Sequence, residues 1–249
     1  MDKLQAWLIY EREDATKNKG FIELHKTAGE KLGIEIILLY AENISTCVEN
    51  NKPSLRYQGE RLKLPDVVLC RARDYLLTRQ MEKMGLYVVN NSAVSEAGNH
   101  KWIAYQKVAA MSLPTIATCF CKRKDLAERL SKACSDTKGV LKEPLVVKSV
   151  SGHGGGEVFL YEKKSQIEEI LGGIGDKDVV IQPFIQGKGE DIRIYVIGNQ
   201  IQGCVLRQAK RDFRSNYSLG GSISPYQLTK EEEKLVKGLF TGWYFDFAG

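Results

Sequence analysis

The segment PLVVKSVSGHGGGEVFLY at residues 144–161 constrains the fold more than any other stretch of this chain. Two short runs rich in β-branched and aromatic residues flank a loop of glycines, and that pattern predicts an antiparallel hairpin with a supple tip. Residues 151–156 carry several backbone N–H groups with little side-chain obstruction, and glycine reaches the positive φ values that turn such donors toward one anion. The loop is not a Walker A loop, because no GK[ST] follows. It is not a dinucleotide fingerprint either, because Glu157 stands where the third glycine of GxGxxG belongs. Gly154, Gly155 and Gly156 are candidates for holding phosphate, with a plain flexible hairpin tip as the competing reading. His153 at the tip is expected to face solvent.

Lys148 lies inside the first strand of that hairpin, and alternation puts it on the face opposite Val147. An ammonium there needs a partner, and a nucleotide phosphate would serve; a lysine snorkelling to water is the alternative. Further on, GEDIRIYVIG places Asp191 and Arg193 on one strand face, with Ile192, Ile194 and Val196 on the other. Ribose and phosphate binding is one use of such a polar face, and an ion pair on a solvated face is another. The stretch RQAKRDFRSNYSLGGS gathers Arg207, Lys210, Arg211, Arg214 and Asn216 ahead of paired glycines, a set suited to carboxylate and phosphate oxygens. A basic stripe for nucleic acid is the rival, but aromatic residues are sparse there and the net charge of +5 is mild for 249 residues. No nucleic-acid partner is expected.

The organisation falls into two parts. Residues 4–10 and 34–40 are apolar, strand-like runs, and between them Phe21, Leu24, Ala28 and Leu32 recur at helical spacing, which predicts a helix burying that stripe. A hairpin-like piece over residues 54–64 turning at Gly59, a strand at 65–71, a helix over 75–84 and a strand at 85–90 continue the alternation, which implies a parallel, covered sheet. From about residue 95 the pattern changes to antiparallel strands. One helix is expected over 95–111, carrying Lys101, then a strand at 112–120, a helix over 124–133, the glycine hairpin, a helix over 165–171, and strands at 178–185, 191–198 and 201–208. The domains expected are 1–95 and 96–249. No apolar run approaches the roughly 20 residues a membrane helix needs, and the opening residues lack a signal-peptide pattern, so a cytoplasmic protein with no membrane partner is expected. Six scattered cysteines without a CxxC pair read as reduced thiols.

Taken in order, NHK at 99–101, the glycine hairpin, VVIQPFI, GEDIRIYVIG, the Arg-rich stretch and DFAG resemble the ATP-grasp superfamily, nearest its RimK-like carboxylate–amine ligases. The fold class this implies is α/β and α+β: a pre-ATP-grasp parallel α/β domain followed by an ATP-grasp fold lacking its C-terminal strands. The resemblance implies an ATP clamped between two sheets, with Lys101 and Lys148 on phosphates and the glycine loop closing over them. Gln182, Pro183 and Phe184 would form the adenine-side hinge, and Asp191 would face the ribose with Arg193 nearby. Arg207, Arg214 and Asn216 would hold the carboxylate and the charge that develops on the transferred phosphoryl group. The activity implied is ATP-dependent ligation of an amine to a carboxylate of an amino acid, peptide or protein through an acylphosphate. The alternative is a non-catalytic nucleotide-binding or scaffold module.

Family members continue past DFAG into an Asp, then a Glu and an Asn that bind Mg²⁺, and those positions would lie beyond Gly249. The expectation is a chain with no metal ligands of its own, weak nucleotide binding and poor ligase activity. Phe245 and Phe247, alternating around Asp246, are expected to pair with that further segment and otherwise to leave an open sheet edge favouring a homo-oligomer.

Overall fold

The protein is described by a computed structural model covering residues 3–133, 141, 143–153, 155–186, 189–209, 221–240 and 242–248. Gly154, Lys210, Arg211, Arg214 and Asn216 lie outside the described residues. The chain divides into two compact units, Met1–Glu96 and Ala97–Gly249.

The first unit is built on β1 (Leu4–Tyr10), whose seven residues pair in parallel along their whole length with β2 (Ile34–Tyr40). On its other side β1 pairs with β5 (Val67–Cys70), and β5 with β6 (Val88–Val89), giving a parallel sheet of order β2-β1-β5-β6. Alternation along β1 splits its side chains between two cores. Trp7 and Ile9 pack with Val68, Leu77 and Met81, whereas Leu8 and Tyr10 pack with Ala15 and Ile22. Helices α1 (Arg12–Lys17) and α2 (Lys19–Leu32) supply the second core, and α3 (Tyr75–Lys83) supplies the first.

Two expectations fail in this unit. The stripe Phe21, Leu24, Ala28 and Leu32 of α2 is exposed, with Leu32 at 74%, and the buried positions are Ile22 and Gly29. The reason is steric: a Cβ on Gly29 would stand 2.6 Å from Ile36 Cγ1 and 2.8 Å from the Ile34 carbonyl, so the helix approaches β2 through a residue that hydrophobicity does not mark. The hairpin also lies earlier than expected. It pairs β3 (Ile44–Glu49) with β4 (Lys52–Tyr57), turning at Asn50 and Asn51, both at positive φ, while Gly59 makes only a single-bridge turn between Tyr57 and Glu60.

The helix expected over 95–111 is two helices, α4 (Ser92–Asn99), which runs across the boundary between the units, and α5 (Lys101–Ala110) in the second unit. His100 breaks them: its backbone is extended, and its Nδ1 accepts from the Ile103 N–H at 3.4 Å as an N-cap. The strand expected over 112–120 shortens to β7 (Cys119–Cys121). After α6 (Leu126–Ala133) come β8 (Leu145–Ser149) and β9 (Val158–Tyr161), antiparallel across the glycine loop, then α7 (Ile167–Ile174) and β10 (Val179–Pro183). The sheet order is β7-β10-β8-β9. Leu145, Val147, Tyr161, Val179 and Ile181 pack with Leu126, Leu130, Ile170 and Ile174 from α6 and α7 in a closed core.

A second antiparallel sheet, β13-β12-β11-β14, is formed by β11 (Glu190–Ile197), β12 (Gln200–Gln208), β13 (Ser222–Pro225) and β14 (Phe247–Ala248). Helix α8 (Lys230–Phe240) precedes β14. Phe247 and Ala248 of β14 pair with Ile197 and Val196 of β11, and β14 is an edge strand of this sheet among the described residues.

Gly20→Ala and Gly29→Ala separate helix propensity from close packing in α2. A Cβ at Gly20 meets nothing within 4 Å, so that change is expected to be neutral or stabilising, whereas Gly29→Ala is expected to cost about 1–3 kcal/mol, read by urea denaturation. A stabilising Gly29→Ala would contradict this packing.

Candidate active site

Strand β8 carries Lys148 on the face turned away from the α6–α7 core. Its cross-strand neighbours are Val158 on β9 and Val180 on β10, so the ammonium rises from an apolar surface. Burial accordingly pushes the Lys148 pKa down, and no carboxylate partner meets it among the described residues. The second lysine arrives through the backbone. The N–H of Lys101, first residue of α5, donates to the carbonyl of Val150 at 2.8 Å, two residues past Lys148. Its Nζ donates to the carbonyl of Gly152 in the glycine loop. Burial lowers the Lys101 pKa first, and the charge of Lys148 lowers it further, against a smaller opposing pull from Glu157. Lys101 thus feels the charge of Lys148, from a separate segment, beside the glycine hairpin.

Gly155 sits at positive φ and Gly156 is exposed, in the turn before β9. The stem below is more constrained than the sequence shows. The Ser149 N–H donates to the Glu157 carbonyl at 3.2 Å. The Glu157 carboxylate accepts from the Ser149 hydroxyl and from Lys177 Nζ. A Cβ on Gly152 would collide with Ser149 Oγ and Glu157 Oε2, so glycine there is required by crowding as much as by flexibility. This Ser149–Glu157–Lys177 network was not singled out from the sequence; Glu157 in place of a glycine was the one visible signal.

Strand β10 runs antiparallel to β8, with Val179 opposite Ser149 and Pro183 opposite Leu145, so the shared ladder extends about 14 Å from the glycine hairpin to the segment after Pro183. At that far end Gln182 is buried, and its Nε2 donates to Thr118 Oγ1 at 2.7 Å. Pro183 is half-buried, and the Phe184 N–H donates to the Pro144 carbonyl at 2.7 Å.

On the second sheet, Asp191 and Arg193 share a face as expected from alternation, but Asp191 is directly opposite Arg207. Arg207 donates from Nε at 2.6 Å and from Nη2 at 2.7 Å to the two carboxylate oxygens, a forked pair in which the Arg207 side chain is only 15% exposed. The two residues assigned separate tasks from the sequence therefore act as one ion pair. Arg193 is exposed. Gly154, Arg214 and Asn216 lie outside the described residues, so their positions are not part of this geometry. Among the described residues no three His, Cys, Asp or Glu side chains converge in a way that would hold a metal ion.

A glycine hairpin with two lysines on one antiparallel sheet, a second antiparallel sheet, and a parallel α/β unit earlier in the chain are the elements of the ATP-grasp fold. Solved structures agree in fold. A RimK domain ATP-grasp protein from Sphaerobacter thermophilus superposes with a TM-score of 0.64 at 18% identity over 96% of this chain and 81% of that one. D-alanyl-alanine synthetase A from Vibrio cholerae superposes with a TM-score of 0.69 at 11% identity over 97% of this chain and 81% of that one. In sequence, residues 98–239 match the RimK-like ATP-grasp domain. A "probable alpha-L-glutamate ligase" of Vibrio vulnificus (strain YJ016) is 31% identical over 83% of this chain and 70% of its own length. The chain belongs to the RimK-like ATP-grasp family, and with that family it is an ATP-using ligase of the kind that forms C–N bonds.

The lysine pocket carries a prediction about stability alone. With a folded-state pKa below the ordinary 10.5, each lysine binds fewer protons folded than unfolded, so its penalty is full at low pH and fades as pH rises toward 10.5. Lys148→Met is expected to raise the melting temperature of the nucleotide-free protein by about 2–4 °C near neutral pH, with the gain shrinking toward pH 10.5. A loss of stability at neutral pH would contradict the assignment of an uncompensated charge.

Proposed function

We propose that this chain is an ATP-dependent carboxylate–amine ligase that activates an amino acid, peptide or protein carboxylate as an acylphosphate. The observation that carries the reading is the pair Lys101 and Lys148, two cations held below their ordinary pKa beside one glycine hairpin in a RimK-like chain. Burying like charges together is costly unless an anion joins them, and a triphosphate is the anion whose charge and length fit. The residues fit ATP in sequence along one ladder: phosphates at the Lys101–Lys148–glycine end, adenine at the Gln182–Phe184 end.

At the adenine end, the Phe184 N–H is already committed to Pro144, so in this conformation the open backbone donor for the base comes after it, and Gln182 acts through its bond to Thr118 as a spacer for the strand. Asp191 faces the ribose while steadying Arg207, whose remaining donors and the neighbouring Arg193 address the carboxylate substrate and the phosphoryl oxygens; Arg214 and Asn216 complete that set. In the reaction a carboxylate oxygen bonds to the γ-phosphorus as the bond to the ADP oxygen breaks. The amine then bonds to the acyl carbon, inorganic phosphate leaves, and the amine gives up a proton. The lysines and arginines neutralise the charge spreading over the transferred group, and the closed hairpin keeps water from the acylphosphate. Mg²⁺, when bound, would neutralise the same oxygens.

Calorimetric titration of ATP, with and without Mg²⁺, tests the pocket. Lys148→Ala is expected to weaken ATP by at least about tenfold, the scale of one charge-assisted hydrogen bond. Hydroxylamine added to a mixture containing ATP, Mg²⁺ and L-glutamate tests the intermediate, with carboxylate-dependent hydroxamate as the expected product. Unchanged ATP affinity in Lys148→Ala would overturn the phosphate pocket, and ATP consumption without hydroxamate would overturn the acylphosphate.

A further inference from the structure

Lys177 stands two residues before β10, and because β10 runs antiparallel to β8 its start lies at the same end as Ser149 and the glycine hairpin. Its Nζ donates to one oxygen of Glu157, and the Ser149 hydroxyl donates to the other. Glu157 is the first residue after the glycine turn and the one acid whose charge registers at Lys101, where it opposes the effect of Lys148 and Lys177. A carboxylate belonging to the hairpin itself therefore acts on two lysines, Lys101 and Lys177, and partly neutralises them before any ligand arrives. The Lys177 side chain is 47% exposed and that of Glu157 26%, so the pair lies at the rim of the pocket, where an incoming anion can reach the ammonium.

We propose that Lys177 is a third phosphate-binding cation of this site, held in reserve by Glu157, which acts as an internal competitor for the phosphates of the nucleotide. The proposal rests on the assignment of the phosphate pocket to Lys101 and Lys148. A phosphate bearing more negative charge than a carboxylate, and arriving with two further lysines already poised, takes the ammonium, and repulsion between the phosphates and Glu157 swings the carboxylate away. Because Glu157 shares its hydrogen bond with Ser149, that exchange also loosens the stem of the hairpin. A purely structural latch makes the opposite prediction, since weakening a latch weakens binding.

Glu157→Gln keeps the size and the ability to accept from Ser149 but removes the charge. It is expected to tighten ATP binding about two- to fivefold at low salt, the scale of an exposed charge pair, with the gain shrinking as salt screens it. Lys177→Met is expected to weaken ATP, and adding Glu157→Gln to it is expected to give no gain, because the cation that the first change releases is gone. ATP Kd by calorimetry on the four proteins, with Glu157→Ala as a second charge-removing variant and circular dichroism melts to confirm folding, completes the cycle. Weaker binding in Glu157→Gln and Glu157→Ala would overturn the competitor, and a gain that persists in Lys177→Met would overturn the role of Lys177. Failure of all four proteins to bind ATP would overturn the underlying pocket as well, and is distinguishable because the first two failures require measurable binding.

Discussion

One backbone hydrogen bond organises the candidate site: the N–H of Lys101 to the carbonyl of Val150. It anchors the start of α5 to the end of β8, and so brings the Lys101 ammonium within the field of Lys148, from a residue 47 positions away in the chain. The break at His100 makes this geometry available, because a continuous helix through residue 100 would commit the Lys101 N–H to a carbonyl four residues earlier. The rest of the pocket follows. Lys101 Nζ is directed to the Gly152 carbonyl, the glycine loop is held at its first limb, and Glu157 closes the stem through Ser149 and Lys177.

The free protein is thereby held in electrostatic tension. Desolvation lowers the pKa of both pocket lysines, and the charge of Lys148 lowers that of Lys101 further, a cost that the closed core under β8, with Leu145, Val147, Val179 and Ile181 packed on α6 and α7, is able to bear. Such a pocket spends folding stability on readiness for an anion, which is the usual exchange at a site where charge must be stabilised without rearrangement. The Asp191–Arg207 pair is arranged differently: its charges satisfy each other in a forked, mostly buried geometry, so it offers rigidity and orientation rather than an unmet demand for an anion.

Much of this was legible in the residues. The strands at 4–10 and 34–40, the glycine hairpin, and the β11–β12 turn at Gly198 and Asn199 follow from apolar runs and turn chemistry. What was hidden was hidden for physical reasons. The buried face of α2 depends on Gly29, which contributes close approach and no hydrophobicity. The Asp191–Arg207 pair depends on register: an unbroken two-residue turn would set Leu206 opposite Asp191, and the bulge at Tyr195/Val196 moves Arg207 there instead. The hairpin of β3 and β4 turns on two asparagines at positive φ, a weaker signal than the Gly59 that drew attention. Glu157 and Lys177 are 20 residues apart, and only the antiparallel pairing of β8 with β9 and β10 places them together.

The most direct test of the central claim is to observe the two ammonium groups themselves. In ¹⁵N-lysine NMR of the intact chain, assigned by Lys101→Arg and Lys148→Arg, both Nζ resonances are expected to titrate below the ordinary lysine value of 10.5 without nucleotide. Both should then move upward together on addition of ATP. Ordinary titration of either lysine, or a response to ATP at one and not the other, would contradict a shared pocket.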